Sequence, residues 1–181
     1  ASHAQGSEGI LNAVLGGVDS IEHGIFLDPQ CIDEMLTRRT VLVPTLAAVS
    51  NILRNKANGV PAYVVEKTER VRERHLESVR AFHQAGGRIA MGTDAGTPFN
   101  LHGENALELE YMVEVGVDPL TAITAATRTA ADLLDLPQEG SVREGGMADL
   151  LLVQGDPLRD IAAVARKANH VAVYKRGKLV A

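Results

Sequence analysis

Short apolar runs and longer runs of helical spacing take turns along the first 134 residues, and no other feature of the chain limits its fold so strongly. Val18–Glu22, Thr40–Val43 and Arg88–Gly92 read as short strands, and the residues leading to His3 as the end of another. Between them, Glu8–Gly16, Pro29–Arg38 and Ala62–Ala85 carry apolar residues at helical intervals; in the last, these are Val64, Val71, Leu76, Val79 and Phe82. Two more helices are expected at His102–Val115 and Pro119–Leu134, the second with Asp118 as its N-cap and proline at its first position. Strands joined through helices run parallel, since each crossover returns the chain to the same end of the sheet. The pattern therefore predicts an α/β fold with a parallel sheet and chemically capable residues at the C-terminal ends of its strands. In a (β/α)8 barrel that end of the sheet carries the active site.

Composition narrows the partners. The 181 residues are 45% apolar, 23% charged and only 3% aromatic, with a net charge of -5, which describes an aliphatic core and no basic surface for nucleic acid. Charges alternate in sign between Glu66 and Arg80, as on a solvated helix face. No stretch nears the roughly 20 apolar residues that span a bilayer, and no charged region followed by an apolar one opens the chain, so a cytoplasmic location is expected. The single cysteine, Cys31, lies in an apolar helical pattern and reads as a small buried side chain.

Two stretches break the alternation. Leu46–Pro61 holds Asn51, Asn55, Asn58 and Gly59 with weak periodicity, and reads as a partly helical excursion of the kind that covers a site. From Leu136 onward the reading is turns and strands: Leu150–Val153, a short helical piece near Ile161–Ala165, then His170–Tyr174 and Lys178–Val180 around a turn at Arg176-Gly177. The expected division is 1–134 and 135–181.

Three strand-end residues, His3, His23 and Asp94, are of the types that bind Zn²⁺ and similar ions when separate elements bring three or four of them together. Periodicity alone leaves each an ordinary alternative: a packed histidine, or a turn aspartate in Thr-Asp-Ala-Gly. Glu22, by strand alternation, points away from His23 and reads as structural. His102 either contacts substrate or caps the helix after it, and Thr45 borders the expected pocket together with Arg54 and Tyr63 of the excursion. His75, His83 and His170 stand away from strand ends and read as surface or packing residues, and Arg128 as a packing or pairing residue within its helix.

The pieces A-S-H-A-Q-G, S-I-E-H-G, V-P-T-L, G-T-D-A-G and H-G-E-N, then A-A-T-R-T-A-A-D-L-L, G-S-V-R-E-G-G-M-A-D-L-L-L-V and Y-K-R-G-K-L-V, extend over nearly the whole chain. In these pieces and their order the chain resembles the metal-dependent amidohydrolase superfamily, in the branch of imidazolonepropionase-like enzymes and Xaa-Pro dipeptidases. The resemblance implies the C-terminal half of a (β/α)8 barrel, strands 5–8, plus the C-terminal part of a small β-sandwich. It implies that His3 and His23 end the fifth and sixth strands as ligands of one divalent metal, zinc foremost. Asp94 would end the eighth strand, bind the other metal of a binuclear site and take a proton from the attacking water. His102 and Thr45 are then the residues expected to meet substrate.

The implied activity is hydrolysis of an amide or peptide bond in a small, dipeptide-like substrate. A cyclic-amide hydrolase and a catalytically inactive half-barrel serving assembly are the alternatives. The family's first-strand H-x-H pair and fourth-strand lysine have no counterpart in these residues. A half-barrel leaves open sheet edges, so closure by a missing N-terminal half or by a second copy of the chain is expected.

Overall fold

A computed structural model describes residues 1–181. In it, β1 (Ser2–Ala4) leads into α1 (Ser7–Leu15), β2 (Ser20–His23) into α2 (Pro29–Arg38), and β3 (Val41–Val43) into α3 (Leu46–Arg54) and α4 (Ala62–Gln84). The three strands form one parallel sheet in the order β1-β2-β3. Register places Ser2, Ile21 and Leu42 on one face and His3, Glu22 and Val43 on the other. The first face is the apolar one: Ile21 and Leu42 are wholly buried against Ile10, Met35, Val79 and Phe82 of the flanking helices, and Cys31 is buried among them as expected.

The excursion after Thr45 is more regular than its asparagines suggest, because α3 runs through Asn51 to Arg54 before the chain turns. The helix expected from His102 starts later, as α5 (Leu107–Glu114). Gly103 at φ 85° and the turns closing on Leu101 and Glu104 occupy the intervening residues. The strand expected at Arg88–Gly92 is reduced to a single bridge between Leu42 and Ile89. Leu42 N–H donates to Arg88 O at 2.9 Å and Ala90 N–H to Leu42 O at 3.0 Å, but Met91 N–H then turns to the Ala125 carbonyl at 3.0 Å and leaves the ladder. Ala125 opens a π-helical segment, Ala125–Thr129, between α6 (Pro119–Thr124) and α7 (Ala130–Leu133). The helix expected over 119–134 is thus three helical segments in sequence, with a change of pitch where the sheet end finds an acceptor.

The remaining residues give β4 (Leu150–Val153), α8 (Ala162–Ala165), β5 (His170–Lys175) and β6 (Lys178–Leu179), the strands forming a second, antiparallel sheet in chain order. Ile161, just ahead of α8, enters the main core. No helix is long and apolar enough to cross a membrane.

The start of α2 shows how local chemistry sets these boundaries. Asp28 accepts the Cys31 N–H at 2.8 Å ahead of Pro29, and that hydrogen bond holds its carboxyl below the usual carboxylate range. Asp28→Ala is expected to lose about 1 kcal/mol in urea unfolding. The carboxylate's contribution is complete above the unfolded aspartate value of about 3.9 and disappears as pH falls through the lower folded value, so the stabilities of wild type and variant converge in acid.

Candidate active site

At the C-terminal ends of β1 and β2 two imidazoles meet. His23 Nε2 lies 2.8 Å from His3 Nδ1, with ring centroids 4.5 Å apart and ring planes at 74°. Register alone would hold these side chains on opposite faces, since His3 is paired with Glu22 and His23 with Ala4. His23 leaves the alternation by adopting φ 73°. That left-handed conformation costs a non-glycine residue on the order of 1 kcal/mol or more.

Helix α4 offsets the cost. His75 Nε2–H donates to the His23 carbonyl at 2.9 Å, and one turn later Ser78 Oγ donates to the Ile25 carbonyl at 2.7 Å while accepting Leu27 N–H at 3.1 Å. The sequence placed His75 among surface or packing residues; it is 1% exposed, and its hydrogen bond anchors the turn that orients His23. Burial pushes its imidazole down to about 4. His23 is also held below the ordinary histidine value, first by burial and then by the charge of His3, while the carboxylates of Asp94 and Glu22 push the other way. Glu22 shares the face of His3 and accepts Ser20 Oγ–H at 2.7 Å, and its charge still reaches His23 despite the alternation that separates the two side chains.

The second nitrogen of His23 is also occupied: Nδ1 lies 2.7 Å from Thr45 Oγ1. Thr45 itself sits at φ 53° and is buried, directly ahead of α3. The hydroxyl expected to meet substrate is therefore turned to His23. A proton on Nδ1 donated to Thr45 leaves the Nε2 lone pair of His23 on the side of His3, whose Nδ1–H can donate to it.

Asp94 is exposed at φ 55°, past the Ile89 bridge, and its charge acts on His23. Buried Asn100 secures its backbone: Nδ2 donates to Thr93 O at 2.6 Å and to Asp94 O at 3.1 Å. Behind it, Tyr111 OH donates to Asn51 Oδ1 at 2.6 Å, and Asn51 Nδ2 lies 3.5 Å from Asn100 Oδ1. The sequence reading missed this chain of side chains because asparagine between periodic segments signals a turn and gives no address for its amide. Arg54, expected near a substrate carboxylate, lies over the Tyr111 ring at 4.5 Å, and Tyr63 is 74% exposed. His102 is exposed and rests against Gly96, where a Cβ would come within 3.6 Å of Nε2. It does not cap α5, whose cap position is Ala106.

His3, His23 and Asp94 do not close into a three-ligand cage: no group of three His, Cys, Asp or Glu side chains meets as one. The spacing of the two imidazoles, 2.8 Å, is a hydrogen-bond length. A tetrahedral zinc with bonds of about 2.0–2.1 Å would hold two nitrogens roughly 3.3 Å apart, so the rings need to part by about half an ångström. In donor type and convergence the pair fits a divalent ion.

An α/β chain that pairs two imidazoles at the ends of adjacent parallel strands has the layout of folds that carry their sites there. Residues 1–180 match the amidohydrolase family, and the chain belongs to it, as its motifs implied. Ochratoxinase of Aspergillus niger is 31% identical over 182 aligned residues, covering 99% of this chain and 37% of its own length. Among solved structures, a Xaa-Pro dipeptidase with methionine bound in its active site matches with a TM-score of 0.87 and 38% identity, over 98% of this chain and 43% of its own. The A. niger ochratoxinase structure matches at 0.84 and 32%, over 98% of this chain and 40% of its own. This chain spans less than half the length of these relatives.

The His75 anchor has a pH signature. A histidine held down to about 4 by burial is uncharged in the fold while the unfolded chain takes up a proton near 6.5, so stability falls as pH drops between those values. Its contribution to the loss approaches about 3 kcal/mol, and His23 adds in the same direction. In His75→Gln, chemical denaturation at pH 7 and pH 4.5 should show a markedly smaller difference than in wild type.

Proposed function

We propose that this chain supplies strand-end groups of a metal-dependent hydrolase that cleaves the amide or peptide bond of a small, dipeptide-like substrate. One observation carries the reading: the His3–His23 pair at the ends of adjacent parallel strands, with the charge of Asp94 reaching His23. His3 and His23 would hold one divalent ion, zinc foremost, and Asp94 the other in a binuclear site. Bound there, such ions polarise a scissile carbonyl and make water more acidic.

The chain's own residues supply the remaining steps. Thr45 fixes the ring of His23 through Nδ1, and His75 fixes its backbone. Asp94, exposed at its strand end, accepts a proton at its carboxylate from the attacking water and returns it to the leaving amine. His102, beside the Gly96 loop that follows Asp94, meets the substrate. The Xaa-Pro dipeptidase among the structural relatives supports a dipeptide as the first substrate class to test.

The same reading takes β1-β2-β3 and the Ile89 bridge as strands 5–8 of a (β/α)8 barrel and β4-β5-β6 as part of a small β-sandwich, divided at 134/135. The face of His3, Glu22 and Val43 supports it, since beneath the histidines it borders a cavity of about 330 Å³ lined by Ala1, Ser20, Glu22, Val43, Ala90 and Leu133. An N-terminal half or a second copy would close the barrel over that cavity.

The test is elemental analysis with a panel of Xaa-Pro dipeptides on the intact protein, its His3→Ala and its Asp94→Asn forms. Both residues are exposed, so circular dichroism should be unchanged in the variants. Metal is expected near stoichiometry in wild type and reduced in both variants, with Asp94→Asn turning over about 10²–10⁴-fold more slowly. Equal metal content in all three would overturn the reading.

A further inference from the structure

Glu108 is an acid in the wrong place for stability alone. It lies in the first turn of α5 with 0% exposure, and its two oxygens accept the backbone N–H groups of Leu46 and Ala47, each at 2.7 Å. Those are the first two amides of α3, which a helix start leaves without partners. Ordinarily the residue at the cap position satisfies such amides with its own side chain, and threonine is among the residues that do so. Thr45 holds that position but makes no capping hydrogen bond; its hydroxyl is 2.7 Å from His23 Nδ1. A neutral side chain at position 45 could reach the Ala47 amide without burying a carboxylate, and burying one is expensive. What the buried acid adds is a free threonine hydroxyl.

We infer that Glu108 is a positioning residue of the strand-end site, capping α3 from the core so that Thr45 is released to fix the ring of His23. The inference rests on the hydrolase reading for its purpose, since an oriented His23 matters as a ligand. With Glu108 in place, the α3 amides have no need of Thr45, and the left-handed Thr45 points its hydroxyl at the imidazole. Without it, two enclosed N–H groups lose their acceptor, and the Ala47 amide, at the second helical position, competes for that hydroxyl. His23 then loses the partner that engages its Nδ1 and, with the His3 contact at Nε2, holds it in one tautomer.

The test reads the tautomer in the metal-free intact protein, by two-bond ¹H–¹⁵N correlation of ¹⁵N-histidine-labelled protein at pH 7.5. Wild type should show His23 as a single neutral tautomer. Glu108→Gln keeps one amide acceptor and should fold, with His23 shifted toward a mixture of both neutral forms. Thr45→Val should move His23 in the same direction, and Glu108→Gln added to Thr45→Val should move it no further. His23 resonances at wild-type positions in a folded Glu108→Gln protein would overturn the inference. If Glu108→Gln does not fold, Glu108→Asp is read in the same way, and loss of the fold in both makes Glu108 a core cap only, which also overturns it. No metal or substrate enters the measurement, so a protein that bound no zinc would fail the hydrolase reading and leave this result standing.

Discussion

Three non-glycine residues at the sheet's C-terminal edge stand in the left-handed region, His23 at φ 73°, Thr45 at 53° and Asp94 at 55°, and the site depends on holding them there. An extended strand sends successive side chains to opposite faces, so the register by itself leaves His3 and His23 on opposite sides of the sheet. Turning the last residue out of the β region solves that problem at a cost of roughly 1–3 kcal/mol each. Such a conformation persists only where the surroundings over-determine it. Here each is held by a side chain from a helical or loop segment: His75 on the His23 carbonyl, Glu108 on the two amides after Thr45, and Asn100 on the Asp94 carbonyl.

The helices thus do more than cover the sheet. Helix α4 presents apolar Val79 and Phe82 to the core and, on nearby turns, His75 and Ser78 to the segment after β2. Helix α5 serves two strand ends one turn apart, Glu108 reaching the start of α3 and Tyr111 reaching Asn51 behind Asn100. Polar groups in a core are tolerated when their hydrogen bonds are complete, and both Glu108 oxygens have partners. Packing the helices and aiming the strand ends are consequently one process. A change that shifts α4 or α5 along the sheet also misplaces an imidazole.

This arrangement explains what could be read in the chain beforehand. Alternating periodicity gave parallel strands, and Pro29 and the Asp118-Pro119 pair gave two helix starts, because both signals are local. His3 and His23 were legible as strand-end residues, and the structure brings them together. Glu108, His75 and Asn100 were not, since their roles are set by partners far along the chain: Glu108 in Leu-Glu-Leu-Glu looks like an exposed helix acid, and its burial follows only from how α5 meets α3. Alternation likewise separated Glu22 from His23 correctly in backbone terms and misled about the site, because one dihedral angle reversed the direction of the next side chain. The strand at Arg88–Gly92 shrank for a similar reason, its Met91 amide being claimed by a helix carbonyl that no strand pattern encodes.

Exposure divides the three strand-end groups into one fixed and two adjustable ones. His23 is buried and held on its carbonyl by His75, on Nδ1 by Thr45 and on Nε2 by His3. His3 and Asp94 are exposed, and the hydrogen bond to His23 is the contact that orients the His3 ring. Opening the two imidazoles from 2.8 Å to an ion-binding separation then falls on the side chain with the fewest restraints, and the buried ring can stay where its partners hold it. Pre-organisation is most effective when the group hardest to reposition is already in place, since the ordering cost is then met on folding. Two of the left-handed non-glycine residues, His23 itself and Thr45, and the buried hydrogen bonds from Thr45 and His75 meet at that one residue.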